Sequence, residues 1–217
     1  TLKKAMLQKM FPQAGASTPE IRFKGFSEAW EEKELGELVS FYKGKGLPKS
    51  EIDPLGREAC IHYGQLFTEY SEEISTVNSR TKGGNGYLRS IANDVLMPTS
   101  DVTPRGLAKA SALNESDVII GGDILVIRAD KKLLLGFFLS RFIRYMEGQV
   151  LQMVSGSTVF HLYSSSMKKF QVKYPSLSEQ QKIGTYFRTL DELISQHAIQ
   201  LQKLQQIKSA CLEKMFV

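Results

Sequence analysis

One stretch limits what this chain can fold into: its last forty or so residues, from Pro175-Ser-Leu-Ser-Glu-Gln-Gln-Lys182 to Cys211-Leu-Glu-Lys-Met-Phe216. Ser178 stands three residues before Gln181 and Ser176 three before Glu179, and either pair makes a capping box that opens a helix. Apolar residues then recur at three- and four-residue steps: Ile183, Phe187, Leu190, Ile194, Leu201, Leu204, Cys211 and Met215. Neither Pro nor Gly interrupts after Gly184. A helix over about 178–216 would be ~57 Å long at ~1.5 Å per residue. That exceeds what a packed globular helix needs, and the apolar seam has coiled-coil spacing, with His197 and Lys208 as polar positions that set register or partner. The plainer alternative is a long core helix; length without internal caps favours an arm.

Part of this arm occurs twice. Leu2-Lys-Lys-Ala-Met-Leu-Gln-Lys-Met-Phe11 aligns with Ile207-Lys-Ser-Ala-Cys-Leu-Glu-Lys-Met-Phe216 at constant offset. Lys3, Ala5, Leu7, Lys9, Met10 and Phe11 match Lys208, Ala210, Leu212, Lys214, Met215 and Phe216. Self-similarity at a fixed period signals a repeat, here one about as long as the chain. The sequence therefore reads as the last turns of one repeat followed by a complete second one.

A hydrophobic fraction of 42% in 217 residues supports a packed core rather than disorder. The net charge of +5 favours an anionic partner such as nucleic acid without establishing one. Cys60 and Cys211 lie far apart in no metal-binding spacing, which fits a reducing compartment better than a disulfide scaffold. Around Phe137-Phe-Leu139, the most apolar region, Arg128, Lys131, Lys132, Arg141 and Arg144 break any membrane span. No signal peptide is visible, and a soluble, cytoplasmic protein is expected.

Along the chain, residues 1–11 form an amphipathic helix too short to stand alone in water, which must dock on something, the long helix being the natural site. Residues 12–19 are a linker by composition. Trp30, Leu35, Leu38 and Val39 look like the first core contacts of a globule over 20–175. Ala59–Tyr63 alternates like a half-buried strand, while Val95–Met97 and Ile124–Ile127 read as deeply buried ones. Leu133–Met146 is an expected helix and Phe170–Tyr174 an expected strand. The fold class is α+β: a β-rich mixed globule followed by a long coiled-coil-type helix over 176–217.

No phosphate loop, nucleophile elbow or metal-ligand spacing is present, and His62, His161 and His197 lie apart, so no active site is visible. Loops are more informative. Lys43-Gly-Lys-Gly-Leu-Pro-Lys49 places three cations in a flexible segment suited to phosphates. Arg80-Thr-Lys-Gly-Gly-Asn-Gly-Tyr-Leu-Arg89 is a glycine-rich tip that could enter a groove, with Arg on guanine and Asn on adenine edges. Ser155-Gly-Ser-Thr-Val-Phe-His161 supplies hydroxyl donors. Each alone reads more readily as a solvated surface loop than as a reading loop; three on one basic globule move the balance toward even.

Several of these residues together resemble the specificity subunit of type I restriction-modification systems, over essentially the whole chain. The resemblance rests on Leu-Gln-Lys-Met-Phe11, Pro-Glu-Ile-Arg-Phe-Lys-Gly-Phe26 with Trp30, Leu35-Gly-Glu-Leu38, Gly121-Gly-Asp-Ile-Leu125 and Ser155-Gly-Ser-Thr158. Most specific is Tyr174-Pro-Ser-Leu-Ser-Glu-Gln-Gln-Lys-Ile183 leading into the long helix. Such subunits have two tandem repeats, each a target-recognition domain followed by a helix, and the helices pair antiparallel as a ruler between two half-sites.

The resemblance implies recognition of double-stranded DNA without catalysis. Lys43, Lys45, Lys49 and Lys82 would sit on phosphates, and Arg80, Asn85, Tyr87, Ser157 and His161 at base edges or in a groove. The chain itself would need no cofactor. S-adenosylmethionine would belong to a modification (methyltransferase) subunit docked on the long helix, and ATP with magnesium to a restriction subunit. The departure is length: one recognition domain instead of two, so that the chain is half of a subunit, a truncated one, or a half-subunit that forms a homodimer through its seam. The alternative outside this class is a structural adaptor whose coiled coil assembles proteins, with a protein-binding globule; a nuclease or methyltransferase in its own right is disfavoured by the missing motifs.

Overall fold

The computed structural model describes residues 2–13 and 15–215, with side chains to residue 213 on the long helix; Met215, as a seam position, and Phe216 lie outside the described side chains. In chain order the elements are α1 (Leu2–Met10), β1 (Glu31–Glu34), α2 (Leu35–Leu38), β2 (Val39–Lys43), β3 (Glu58–Ile61), α3 (Gln65–Thr68), β4 (Glu73–Ile74), β5 (Arg80–Thr81), β6 (Leu88–Arg89), β7 (Val95–Pro98) and β8 (Ser100–Asp101). There follow β9 (Ser111–Leu113), β10 (Ile119–Ile120), β11 (Ile124–Ala129), α4 (Gly136–Tyr145), α5 (Glu147–Leu151), β12 (Phe160–His161), α6 (Ser164–Met167), β13 (Gln171–Tyr174) and α7 (Leu177–Met215).

A five-stranded sheet, ordered β2-β11-β7-β9-β4, lies at the centre. Side chains alternate across a strand. Leu125, Ile127, Val95 and Met97 therefore face one core with α4, while Ile124, Val126 and Leu96 face a second core with Ile61, Leu66 and Ile120. Burial on both faces explains why Val95–Met97 and Ile124–Ile127 are unbroken apolar runs. A four-stranded sheet, β5-β3-β10-β6, covers the second core, and two small ribbons, β1-β13 and β12-β8, complete the globule.

The expected helix over Leu133–Met146 begins only at Gly136. Two side chains intercept its first amides: Leu135 N–H donates to Gln180 Oε1 (2.9 Å) and Gly136 N–H to Asn93 Oδ1 (2.7 Å). Position 136 must be glycine-sized, because a Cβ there would stand 2.4 Å from the Asn93 carbonyl oxygen.

α1 docks as expected, and more deeply. Phe11, which follows it, is fully buried among Trp30, Phe138, Phe142, Tyr145 and Phe187, with ring centroids 5.2–6.3 Å away. Lys3 Nζ reaches Glu72 (3.0 Å), just before β4, and Asp191 (2.6 Å) on α7, tying the helix to both. The 12–19 stretch is held to the body, Trp30 N–H donating to the Ser17 carbonyl and Lys173 Nζ to that of Ala16.

The opening of α7 differs from the expected capping box. The carboxylate of Glu179 is buried and paired in a fork with Arg22, at 2.7 and 2.8 Å, and Ser176 Oγ meets Ser178 Oγ instead. A tertiary ion pair with good geometry has displaced the local cap. Gln180, also buried, binds the carbonyls of Leu133 and Pro175.

The seam divides in two. Ile183 and Phe187 are buried and Leu190 is half-buried, all in the globule's core, so these three do not line an arm. Past Asp191 the helix leaves the globule: Ile194, Leu201, Leu204 and Cys211 are exposed, with Leu193, Ile199, Ile207 and Leu212 beside them. The packed body thus extends from α1 to Asp191, across the boundary that composition places at 176.

Candidate nucleic-acid interface

Lys43, the last residue of β2, and Lys45 and Lys49 after it are all exposed, but this segment is not the flexible loop its glycines suggest. Gly44 N–H donates to the Ile124 carbonyl (2.9 Å), Lys45 N–H to that of Ile120 (3.3 Å), and Gly122 N–H to that of Gly46 (2.8 Å). Gly44 approaches the Gly121–Gly122 turn so closely that a Cβ would lie 1.8 Å from the Gly121 oxygen. Leu47, at φ +57°, buries its side chain with Cys60 and Ile119. The lysines are therefore displayed from a fixed backbone.

The expected tip at 80–89 is instead a strap. β5 and β6 occupy opposite edges of their sheet and run parallel, so residues 82–87 must cross over β3 and β10 rather than turn back as a hairpin. Positive φ at Gly83, Gly84 and Gly86 permits that path. Tyr87 anchors it: the ring packs on the Leu47–Cys60–Ile119 cluster and the hydroxyl donates to Glu51 Oε2 (2.7 Å), which together with partial burial raises the phenol's pKa. Lys82 and Asn85 are exposed on the strap, and Arg80 is half-buried on β5.

The third loop is closed by reciprocal backbone bonds, Ser155 N–H to the His161 carbonyl (3.0 Å) and His161 N–H to that of Ser155 (2.7 Å). Ser157 stands exposed in it, and β12 pairs with β8, placing His161 opposite Ser100.

Two clefts collect these side chains. One, of about 610 Å³, is lined by Lys43 and His161 with Tyr42, Ser100, Asp123 and Tyr163 among others. The other, of about 480 Å³, is lined by Lys82 and Tyr87 with Glu51 and Asp53. The 43–49 segment runs from the first to the second, Gly46 lying against the Tyr87 ring. Lys45, Lys49, Arg80, Asn85 and Ser157 do not line either cleft but lie on the segments that form them.

Electrostatics distinguish the cations. Lys43 pairs loosely with Asp123 (3.8 Å) and Lys82 with Asp53 (3.9 Å), both exposed, where such pairs contribute ~0–1 kcal/mol and exchange easily for another anion. Arg89 is committed: it holds Glu58 (2.8 Å) and Asp117 (3.1 Å), chiefly the Glu58 hydrogen bond raising its pKa. Burial, and then the charge of Lys49, hold the His62 pKa below the usual histidine value. Among the described residues, no group of three or more His, Cys, Asp and Glu side chains is placed to hold a metal ion, and no helix is long and apolar enough to cross a membrane.

Sequence reading missed Tyr42 and Tyr163, which expose 41% and 56% of their surface at the first cleft. A signal existed for Tyr163: in His161-Leu-Tyr163 the buried Leu162 alternates with two outward rings, which stack at 6.1 Å. Tyr42 carries Arg128 over its face at 4.7 Å, a pairing no local pattern announces.

Comparison with known proteins agrees with this architecture. The family described as type I restriction modification DNA specificity domain matches residues 27–209. The HsdS subunit from Thermoanaerobacter tengcongensis superposes with a TM-score of 0.60 at 19% identity, over 89% of this chain and 43% of that one. A chain from a structure of the complex assembly and conformational transition of the type I R-M system gives 0.64 at 20% identity, over 99% and 48%. The type I restriction-modification system S subunit from M. genitalium gives 0.59 at 16% identity, over 83% and 44%. At these identities the likeness concerns the fold, and this chain spans less than half the length of each of the three.

Proposed function

This chain belongs to the type I restriction-modification DNA specificity family, carrying one recognition domain, and from that premise we propose that it reads one half of a split duplex DNA target and docks a methyltransferase subunit through α7. One observation carries the reading: exposed Lys43, Lys45, Lys49 and Lys82 stand on rigid, adjoining segments bordered by two clefts with hydrogen-bonding side chains. Cations displayed this way fix register on phosphates, while His161, Ser157, Asn85 and Arg80 have the donors to discriminate base edges.

The chain works without catalysis in this reading. Methyl transfer from S-adenosylmethionine belongs to the modification subunit, and ATP and magnesium to a restriction subunit, all acting in the cytoplasm. The uncovered apolar stripe of α7 past Asp191 is the surface for a partner helix, either from the other half of a longer subunit or from a second copy. The likeness of residues 2–11 to 207–216 supports this: α1 seats against the root of α7, and the distal decamer has the residues to seat likewise on another recognition domain.

Co-expression with the modification subunit of the same genome, followed by sequencing of DNA methylation, tests the reading. Methylation of a split motif is expected, palindromic if a homodimer forms. No complex with that subunit, together with no salt-sensitive binding to duplex DNA, would overturn it in favour of an adaptor. Light scattering over a range of concentrations tests the homodimer separately, and a monomer throughout refutes it.

A further inference from the structure

Residues 52–56 form a tight turn whose tip is Pro54-Leu55, and Leu55 exposes 91% of its surface. Single exposed leucines are ordinary on protein surfaces. This one is unusual in how rigidly it is presented. Asp53 N–H donates to the Arg80 carbonyl (2.8 Å), Gly56 N–H to that of Asp53 (2.8 Å), and Leu55 N–H to Asp53 Oδ1 (2.9 Å). Ile52 bridges to Thr81, and Gly56 lies so close to β5 that a Cβ would stand 2.4 Å from the Thr81 backbone. The turn is thus bolted to a sheet edge and aims an apolar side chain outward.

Its surroundings are cationic. Lys49 and Arg57 are exposed just before and after the turn in the chain, and Lys82 is exposed and loosely held by Asp53 at 3.9 Å. The neighbouring acids are occupied: Glu51 accepts from Tyr87, Glu58 from Arg89, and Asp53 caps the turn itself. An apolar tip with cations set about it matches the two faces of a duplex groove, where phosphates flank a stack of bases. Leucine and proline are side chains of the kind that enter between base pairs and open a step. A protein anchor would more often sit in a wider apolar patch, whereas Leu55 stands 91% exposed with the likewise exposed Pro54 before it.

We propose that Leu55, with Pro54 behind it, is a wedge that inserts at a base step of the bound duplex, with Lys49, Arg57 and Lys82 on the flanking phosphates. The inference rests on the DNA-recognition reading and adds to it a deformation of the target. Specificity then arises partly from how readily the entered step unstacks, flexible pyrimidine–purine steps being favoured.

The test uses the full chain with its modification subunit and duplexes carrying the split motif found by methylation sequencing, with 2-aminopurine scanned through the half-site. Wild type is expected to raise 2-aminopurine fluorescence severalfold at one step. Leu55→Ser should abolish that rise and weaken binding about tenfold with an unchanged salt slope, whereas Lys82→Ala should lower the salt slope by about one and keep the rise. Leu55→Met, apolar and of similar reach, should restore both signals. Binding by wild type with no rise at any step, or a Leu55→Ser variant indistinguishable from wild type, overturns the wedge and leaves the recognition reading standing. Absence of any motif and of duplex binding overturns both.

Discussion

Replacing Phe11 with alanine tests whether the N-terminal decamer is part of the globule or an appendage. Phe11 has no exposed surface and is ringed by Trp30, Phe138, Phe142, Tyr145 and Phe187. Truncating a buried phenylalanine costs about 3–5 kcal/mol, the upper end where neighbours cannot collapse into the void. Here the neighbours come from α4, α7 and the stretch before β1, which are separately anchored, so the upper half of that range is expected. For a domain of this size each kcal/mol lowers Tm by ~2–4 °C, giving a fall of about 8–20 °C. The loss should also free α1, which is too short to stay helical alone, and with it the Lys3 pairs to Glu72 and Asp191.

The chain has one tryptophan, Trp30, buried with its ring 6.0 Å from Phe11, so its emission reports from the site itself. Urea unfolding of Phe11→Ala followed by this emission and by far-UV circular dichroism should show a lower midpoint, with native emission shifted to the red. Leu201→Ala, on the exposed part of α7, is the control and should stay within about 0.5 kcal/mol of wild type. A Phe11→Ala loss below about 1 kcal/mol with unshifted emission would refute the docking of the decamer and the core drawn around it.

Acid sensitivity should fall on Glu72, which burial pushes up but Lys3 holds below the ordinary value, and on Glu73. Burial pushes the Glu73 carboxyl up, but hydrogen bonds from Arg188 and Asn114 and the charges of Arg188 and Arg141 outweigh this and hold it below its ordinary 4.5. A depressed carboxylate stabilises the fold above its unfolded value and loses that contribution as pH falls through the folded one. Arg188→Ala should therefore flatten the stability profile below about pH 5 in thermal melts, and an unchanged acid limb would count against the network. Gly44→Ala, forcing a Cβ against the Gly121 carbonyl, should cost about 1–3 kcal/mol and displace the lysine segment, read as lower Tm together with weaker duplex binding. Leu201→Glu with Leu204→Glu should abolish helix-mediated association in light scattering while leaving Tm of the globule unchanged, since neither side chain touches it.

How much of this was legible in advance follows from the range of the forces involved. α7 and α1 are local periodicities, and both appear where the apolar spacing places them. β7 and β11 are runs so apolar that only burial on both faces suits them. The start of α4 was not legible, because Gln180 and Asn93, remote in sequence, take its first amides. The cap of α7 was misread for the same reason: Ser176 and Glu179 have the right spacing, but Arg22 outcompetes a local hydrogen bond with a buried two-point ion pair.

The same division holds for the candidate interface. Composition alone placed these loops at the surface, since Lys, Asn and Gly at high density are excluded from a packed core. Their geometry came from elsewhere: strand order turned the 80–89 tip into a strap, and Gly121 and Ile120 turned the 43–49 loop into a rigid display. What the amino-acid sequence determined by itself was the long helix, its repeated end, the buried strands and the family to which these point. Only the tertiary structure decided where the apolar seam stops being core and becomes free surface, at Asp191, because burial depends on which distant residues arrive to cover a face and no period along the chain records their arrival.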